Sequence, residues 1–391
     1  GSYNGQYHLR ERWNAAMHSS YFGGDESDYD AINRNDNFQQ DAKAFDGNQD
    51  YWKEVEQLAR EPSPWEALQG HVDIKDFYEF MMVWSSGNSE SEMQAVGSKA
   101  LGVPFTFYMK DADGWLIKSS HRGGRGRFTT RGAGAFDTEL LAERHPDHQM
   151  FLADLVHKHF TNGGAMTPEQ TIPRLQRRVD EIETSFIAES ARWRKYKPHA
   201  WYKYQQDIMD RHFSTLADNM LDMFKGINVY PDDIQAPKPN RRGGRIEPGF
   251  AFKMAAGSLF SPERGEFWYT LDGSDPRLPG GVRSDTAIQY DREGPGLELN
   301  ETVTVKARTF KSSLFSNGIW SPLMETTFHI GKKPEAGDLV ISEIHYRPAS
   351  PNDEEIAAGF TKRSVFEFIE LYNRTDTVVS LLDIALTNGV R

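Results

Sequence analysis

Near residue 231 the hydrophobic period of this chain changes, and no single sheet or bundle accommodates both halves. Before that point apolar residues recur mainly at helical spacing, and after it they alternate in short runs. Between the halves, residues 230–244 carry three prolines, three arginine or lysine residues and a terminal pair of glycines, chemistry that disfavours regular structure and marks a linker or an edge. With 391 residues, and a prior of roughly 100–200 residues per domain, the chain divides into several domains rather than one. The expected fold class is multidomain α+β.

Residues 1–232 read as mainly helical after a short β-like start. Val55, Leu58 and Ala59 share one face of a helix that Pro62 and Pro64 end. Residues 74–84 open after Asp73, a good N-cap, and the crowding of Phe77, Tyr78, Phe80, Met81 and Met82 predicts a well-buried helix. Further helices are predicted over 146–160, 168–193 and 199–225. The second of these opens at Thr167-Pro168-Glu169-Gln170, which combines an N-cap Thr, a Pro at the first helical position and a Gln placed to close a capping box.

Residues 237–331 alternate instead, with strands predicted at 266–271, 302–310 and 326–330 and turn chemistry at Gly273-Ser-Asp-Pro276. They predict a small β-sandwich. Residues 335–391 resume the pattern at 339–344 and 365–372, a second sandwich read as incomplete.

Composition excludes some functions. A net charge of −12 argues against nonspecific nucleic-acid binding, which needs Lys and Arg to neutralise phosphates. One basic loop, with Arg122, Arg125, Arg127 and Arg131 among glycines, suits either a phosphate or plain solvation. Cysteine is absent, which excludes disulfides and thiolate metal sites. No run approaches the roughly 18 apolar residues of a membrane span, and the first residues lack the features of a signal peptide. The chain reads as a piece of a longer protein.

The chemistry-bearing motif follows an apolar β-like run at Phe107-Tyr-Met109. There Lys110-Asp111-Ala-Asp113-Gly114 places two carboxylates one residue apart before a glycine. Carboxylates are the hard oxygen donors that Mg²⁺ and Ca²⁺ prefer. The same residues also suit a tight turn in which the Asp side chains cap backbone amides. His145, His148, His157 and His159 gather on or beside one predicted helix, a spacing compatible with Zn²⁺ but without an evident third ligand. Trp193, Trp201, Tyr202 and Trp320, with at least one of Trp268 and Tyr269, are expected to fill core. Asn300-Glu-Thr and Asn373-Arg-Thr match glycosylation sequons, which matter only in a eukaryotic secretory pathway.

Three consecutive pieces resemble known families. Gly5-Gln-Tyr-His-Leu-Arg-Glu11, Lys110-Asp-Ala-Asp-Gly114 and Glu189-Ser-Ala-Arg-Trp193 resemble, in order, segments of the spore coat protein CotH family, whose members are similar to atypical protein kinases. Phe267-Trp-Tyr-Thr-Leu-Asp-Gly-Ser-Asp-Pro-Arg277 and Val303-Thr-Val-Lys-Ala-Arg308 resemble a chitobiase/β-hexosaminidase C-terminal sandwich. Val340-Ile-Ser-Glu-Ile-His-Tyr-Arg-Pro348 and Phe366-Glu-Phe-Ile-Glu-Leu-Tyr-Asn373 resemble a lamin-tail domain of immunoglobulin-like type.

The resemblance implies a kinase-like helical-plus-strand domain with a truncated N-lobe, followed by two all-β immunoglobulin-like sandwiches, in an exported or cell-surface bacterial protein. It implies Mg²⁺ on Asp111 and Asp113, ATP as phosphate donor, and Glu11 as an acidic partner in the cofactor site. Asn88 and Glu90 stand where the family pattern has Asn-x-Asp, so Glu90 would sit near the acceptor hydroxyl of a protein substrate. Lys110 stands where the family has Trp. The nucleotide-binding Lys is expected on strands upstream of this chain. Two other readings stay open: a noncatalytic surface protein whose sandwiches contact polysaccharide or protein, and a structural Ca²⁺ site at the acidic pair.

Overall fold

The computed structural model describes residues 11–34, 42–87, 92–110, 145–194, 197–256, 265–313 and 318–387. It is a mixture of helices and several sheets. No described helix is long and apolar enough to cross a membrane.

The first half is organised by an antiparallel four-stranded sheet of β1 (Asp30–Arg34), β2 (Lys43–Asp46), β3 (Glu92–Ser98) and β4 (Val103–Lys110), in the order β2-β1-β3-β4. Helix α1 (Ala15–Phe22) covers one face, where Ala15, Tyr29, Ala31 and Val96 form a small cluster. On the other face lie α2 (Asp50–Leu58), the short α3 (Pro64–Ala67) and α4 (Ile74–Ser86). There Trp52, Val55, Phe77 and Met81 join Ile32, Ala95 and Phe105 in one large core. Each large apolar side chain so buried contributes about 1.5–3 kcal/mol.

Helices predominate in this region as expected, but β1, β2 and β3 add strands beyond the β-like start and the apolar run of β4 that the sequence marked. The cause is burial on both faces, as successive residues Ala31 and Ile32 in β1 and Ala95 and Val96 in β3 are all inaccessible. Strands covered on both sides lose the alternation that identifies a half-exposed strand.

The outer edge of β4 is closed by the start of α4. Asp73 donates its amide to Phe105 O at 3.0 Å, and Phe105 donates to His71 O at 2.9 Å. The next outward amide, Phe107 N, donates to Asp76 Oδ2 at 2.6 Å. Asp73 also caps α4 as expected, its carboxylate accepting from Asp76 N.

Four further helical segments follow: α5 (Pro146–Phe160), α6 (Pro168–Trp193), α7 (Pro198–Asp207) and α8 (Ser214–Gly226). A π-helical stretch, Ile208–Phe213, joins α7 to α8, so the helix predicted over 199–225 has a wide turn at its middle. The capping box expected at Thr167 does not form. Its hydroxyl instead donates to Gly164 O at 2.9 Å.

The β unit contains β5 (Lys238–Pro239), β6 (Gly244–Ile246), β7 (Phe250–Phe252), β8 (Met254–Ala255), β9 (Glu266–Thr270), β10 (Ile288–Gln289), β11 (Leu297–Leu299), β12 (Val303–Lys311), β13 (Ile319–Trp320) and β14 (Met324–Ile330). One sheet runs β10-β9-β12-β14-β6, with β13 on β12, while β7–β11 and β5–β8 form separate pairs. All contacts are antiparallel except β14 with β6. Phe252, Phe267, Tyr269 and Phe328 anchor its core. The segment expected as a linker is stitched into this unit. Ile234 and Ala236 are buried, and Gln235 O accepts from Thr309 Oγ1 at 2.6 Å.

The two halves meet along α5. Its residues His148, Leu152, Leu155 and Val156 face the helical core, whereas Asp147, Met150 and Asp154 face the β unit. That division follows helical spacing, because positions three and four apart share a face. At the centre of the contact Arg308 of β12, 1% exposed, pairs with Asp154 and Asp275, each at 2.6 Å. It also donates to Ser321 O at 2.8 Å. Burial alone would lower the Arg308 pKa, but attraction to Asp154 and hydrogen bonds to both carboxylates raise it overall. A second pair, Arg277 with Asp147 at 2.6 Å, lies nearby.

The last segment holds a two-stranded ladder of β15 (Leu339–His345) and β16 (Phe368–Asn373), with the short α9 (Asp353–Ala357) between them in sequence. Among the described residues this ladder is the sheet seen where an incomplete sandwich was expected. Ile344, Tyr346, Phe368 and Tyr372 are all exposed, Tyr346 by 76%. Lys332 N donates to Val378 O at 3.2 Å and Lys332 O accepts from Ser380 N at 3.0 Å, Gly331 N donates to Ile246 O at 3.4 Å, and Arg245 donates to Leu382 O at 2.6 Å.

Candidate functional site

The register of β3 and β4 sets Glu92 opposite Lys110. Residues 88–91 lead directly into β3, and residues 111–113 directly leave β4. The described hairpin therefore begins at Glu92 and ends at Lys110, and in the sequence Asn88 and Glu90 precede its first strand while Asp111 and Asp113 follow its second. Those four residues, like the basic loop at 121–131, lie outside the described residues.

A cleft of about 450 Å³ opens beside the Glu92–Lys110 end of the hairpin, lined by Glu11, Arg12, Trp13, Asn33, Gln94 and Lys110, among others. Its size falls within the roughly 300–1,000 Å³ of small-molecule sites. Asn33 of β1 stands opposite Gln94 of β3, so both project on the face that α1 covers further along the strands. Beyond the end of that small apolar cluster, polar side chains take over the sheet face.

Glu11 is the one expected site residue that the structure describes, and it lies in the cleft wall. Its carboxylate accepts from Tyr21 Oη of α1, at 3.0 and 3.1 Å to its two oxygens. Those hydrogen bonds, and then the charge, raise the Tyr21 pKa. Trp13 stacks on Tyr108 with ring centroids 4.8 Å apart. Tyr108 in turn shares a 2.8 Å hydrogen bond with buried His18, whose pKa burial lowers to about 4. The floor of the cleft is thus held by a chain of aromatic contacts running back under α1. The sequence reading missed Asn33, Gln94 and Trp13, whose signal was hidden in strands that do not alternate.

Among the described residues no group of three or more His, Asp or Glu side chains could hold a metal ion. The histidines of α5 disperse rather than converge. His148 Nε2 shares a 2.7 Å hydrogen bond with Tyr78 Oη, and its ring stacks on Trp65 at 4.8 Å. His157 pairs with Tyr230 at 2.8 Å, His159 with Glu79 at 2.9 Å, and His145 faces Glu66 at 3.6 Å. Burial lowers both His148 and His157 to about 4, which keeps them neutral. His148 and His157 are packing histidines, and the four side chains do not converge on one point.

The aromatic residues divide. Tyr269 and Trp320 are buried, and Trp320 Nε1 donates to Gly281 O at 2.7 Å. Trp268 is covered by the Arg283 guanidinium at 3.9 Å from its ring centroid. Trp201 stacks on Phe186 at 4.4 Å between α7 and α6. Trp193 contradicts the core expectation, being 57% exposed at the end of α6.

Compared with known proteins, the chain matches no protein-family model, no curated protein and no solved structure.

Proposed function

We propose that the cleft beside β3 and β4 is the metal and nucleotide end of a CotH-type kinase-like domain, carried by a bacterial protein that acts outside the cytoplasm. The supporting observation is that Lys110, which pairs with Glu92 across the β3–β4 register, lines one cleft with Glu11; in the sequence Asn88 and Glu90 lie just before Glu92, and Asp111 and Asp113 just after Lys110. Phosphoryl transfer requires divalent cations on the nucleotide phosphates and a group that orients the acceptor hydroxyl. In this reading Asp111 and Asp113 hold Mg²⁺, ATP supplies the phosphate, Glu11 supports the cofactor site, and Glu90 with Asn88 faces a protein hydroxyl. The β unit and the terminal ladder are then a chitobiase-type sandwich and part of a lamin-tail domain. Incubation of the whole chain with radiolabelled ATP and Mg²⁺ should label the chain itself or an added protein substrate. Equal labelling by Asp111→Ala would exclude the assignment of the acidic pair.

A second reading, a noncatalytic protein that binds surface polysaccharide or another protein, draws support from the exposed aromatic side chains Tyr346, Phe368 and Tyr372. Retention of the whole chain on insoluble glycan, with no labelling from ATP, would favour it. A structural Ca²⁺ role for the acidic pair would instead raise the melting temperature with Ca²⁺ and not with Mg²⁺.

A further inference from the structure

A second cavity, of about 410 Å³, lies where the end of α5 meets β14 and the segment before β6. Its walls come from both halves of the molecule, so it exists only while they are docked. Phe151, Leu155, Pro239 and Met324 supply an apolar side, and Lys158, Arg242 and Thr326 supply much of the polar one. The carboxylates in the wall are already engaged: Asp154 by Arg308, and Glu325 by Lys306 at 3.6 Å.

The two cations are not. Among the described residues no hydrogen bond or ion pair holds the Lys158 ammonium or the Arg242 guanidinium. Glu169 is the further carboxylate that feels Arg242, as the weakest of several influences on its pKa. Both cationic side chains are exposed, and the Arg242 guanidinium lies directly on Gly163, in the space that a Cβ would take. Gly163 has φ +72, a conformation that suits glycine. Beside Arg242, Gly243 leaves room for Thr326, whose residue is 7% exposed and whose hydroxyl has no hydrogen-bond partner among the described residues.

We infer that this cavity binds a small organic anion, its carboxylate or phosphate held by Lys158 and Arg242 and its apolar part against Phe151, Leu155 and Met324. A guanidinium presents paired donors matched to either anion. The assignment is independent of the phosphotransfer reading, since it uses no residue of the β3–β4 cleft.

The test is calorimetric titration of the whole chain with phenyl phosphate, with inorganic phosphate and phenol as separate probes. Phenyl phosphate should bind at one site, at least tenfold tighter than either fragment. The double variant Lys158→Ala/Arg242→Ala should lose at least tenfold, Arg242→Lys should retain part of the affinity, and Asp111→Ala/Asp113→Ala should leave it unchanged. Circular dichroism confirms folding of each variant. The proposal is overturned if phenyl phosphate does not bind, if it binds no tighter than inorganic phosphate, or if the double variant binds it like the wild type.

Discussion

His148 shows how one side chain can look like a ligand in sequence and act as packing in the fold. It sits three residues after His145, but helix α5 turns it into the core against Trp65 and Tyr78. Its pKa falls from 6.5 to about 4 on folding, chiefly by burial. The unfolded chain therefore binds the extra proton first, and the stability present above pH 6.5 is lost as the pH falls toward 4. By linkage that loss is on the order of 3 kcal/mol for this residue alone. Replacing His148 by Gln should cost stability at pH 7, but the gap from wild type should narrow as the pH falls to 4.5, read from urea midpoints. A gap that stays constant would mean that folding does not lower the His148 pKa.

At the scale of elements, the helices were the more legible part. The bounds 146–160 and 168–193 follow from Pro at the first helical position and from apolar spacing, and both agree with α5 and α6. Strands β1 and β3 were not legible, because Ala31 with Ile32, and Ala95 with Val96, are buried on opposite faces and leave no alternation. The cleft was equally hidden: Glu11 was named from a family resemblance, while Asn33 and Gln94 become neighbours only through the register of β1 and β3. Sequence spacing carries no information about such pairing.

The closed edge of β4 depends on one carboxylate in the first turn of α4. Asp76 is pushed up to about 6 by burial, against the hydrogen bond from Phe107 N. Asp76→Ala leaves that amide without its acceptor and should cost about 1–3 kcal/mol. Asp76→Asn keeps an oxygen acceptor and should cost less. Urea denaturation at pH 8 distinguishes the two, and equal losses would show that the hydrogen bond contributes little.

At the scale of the whole molecule, the helical half and the β unit behave as partners through α5 rather than as beads on a linker. Removing one member of a buried ion pair typically costs 3–5 kcal/mol, because the remaining charge is left without compensation. Arg308→Ala leaves both Asp154 and Asp275 in that state. Calorimetry of the wild type should show the two halves melting together, and Arg308→Ala should lower that transition and split it. Unchanged melting of Arg308→Ala would mean that the halves are coupled elsewhere.

The functional account rests on the edge of the sheet where the β3–β4 hairpin meets the cleft. Its most direct test is calorimetric titration of the intact chain with ATP in the presence of Mg²⁺. Saturable binding at one site that requires Mg²⁺ and is lost in Asp111→Ala/Asp113→Ala is the expected result. Absence of binding, or binding that persists in the double variant, would contradict it.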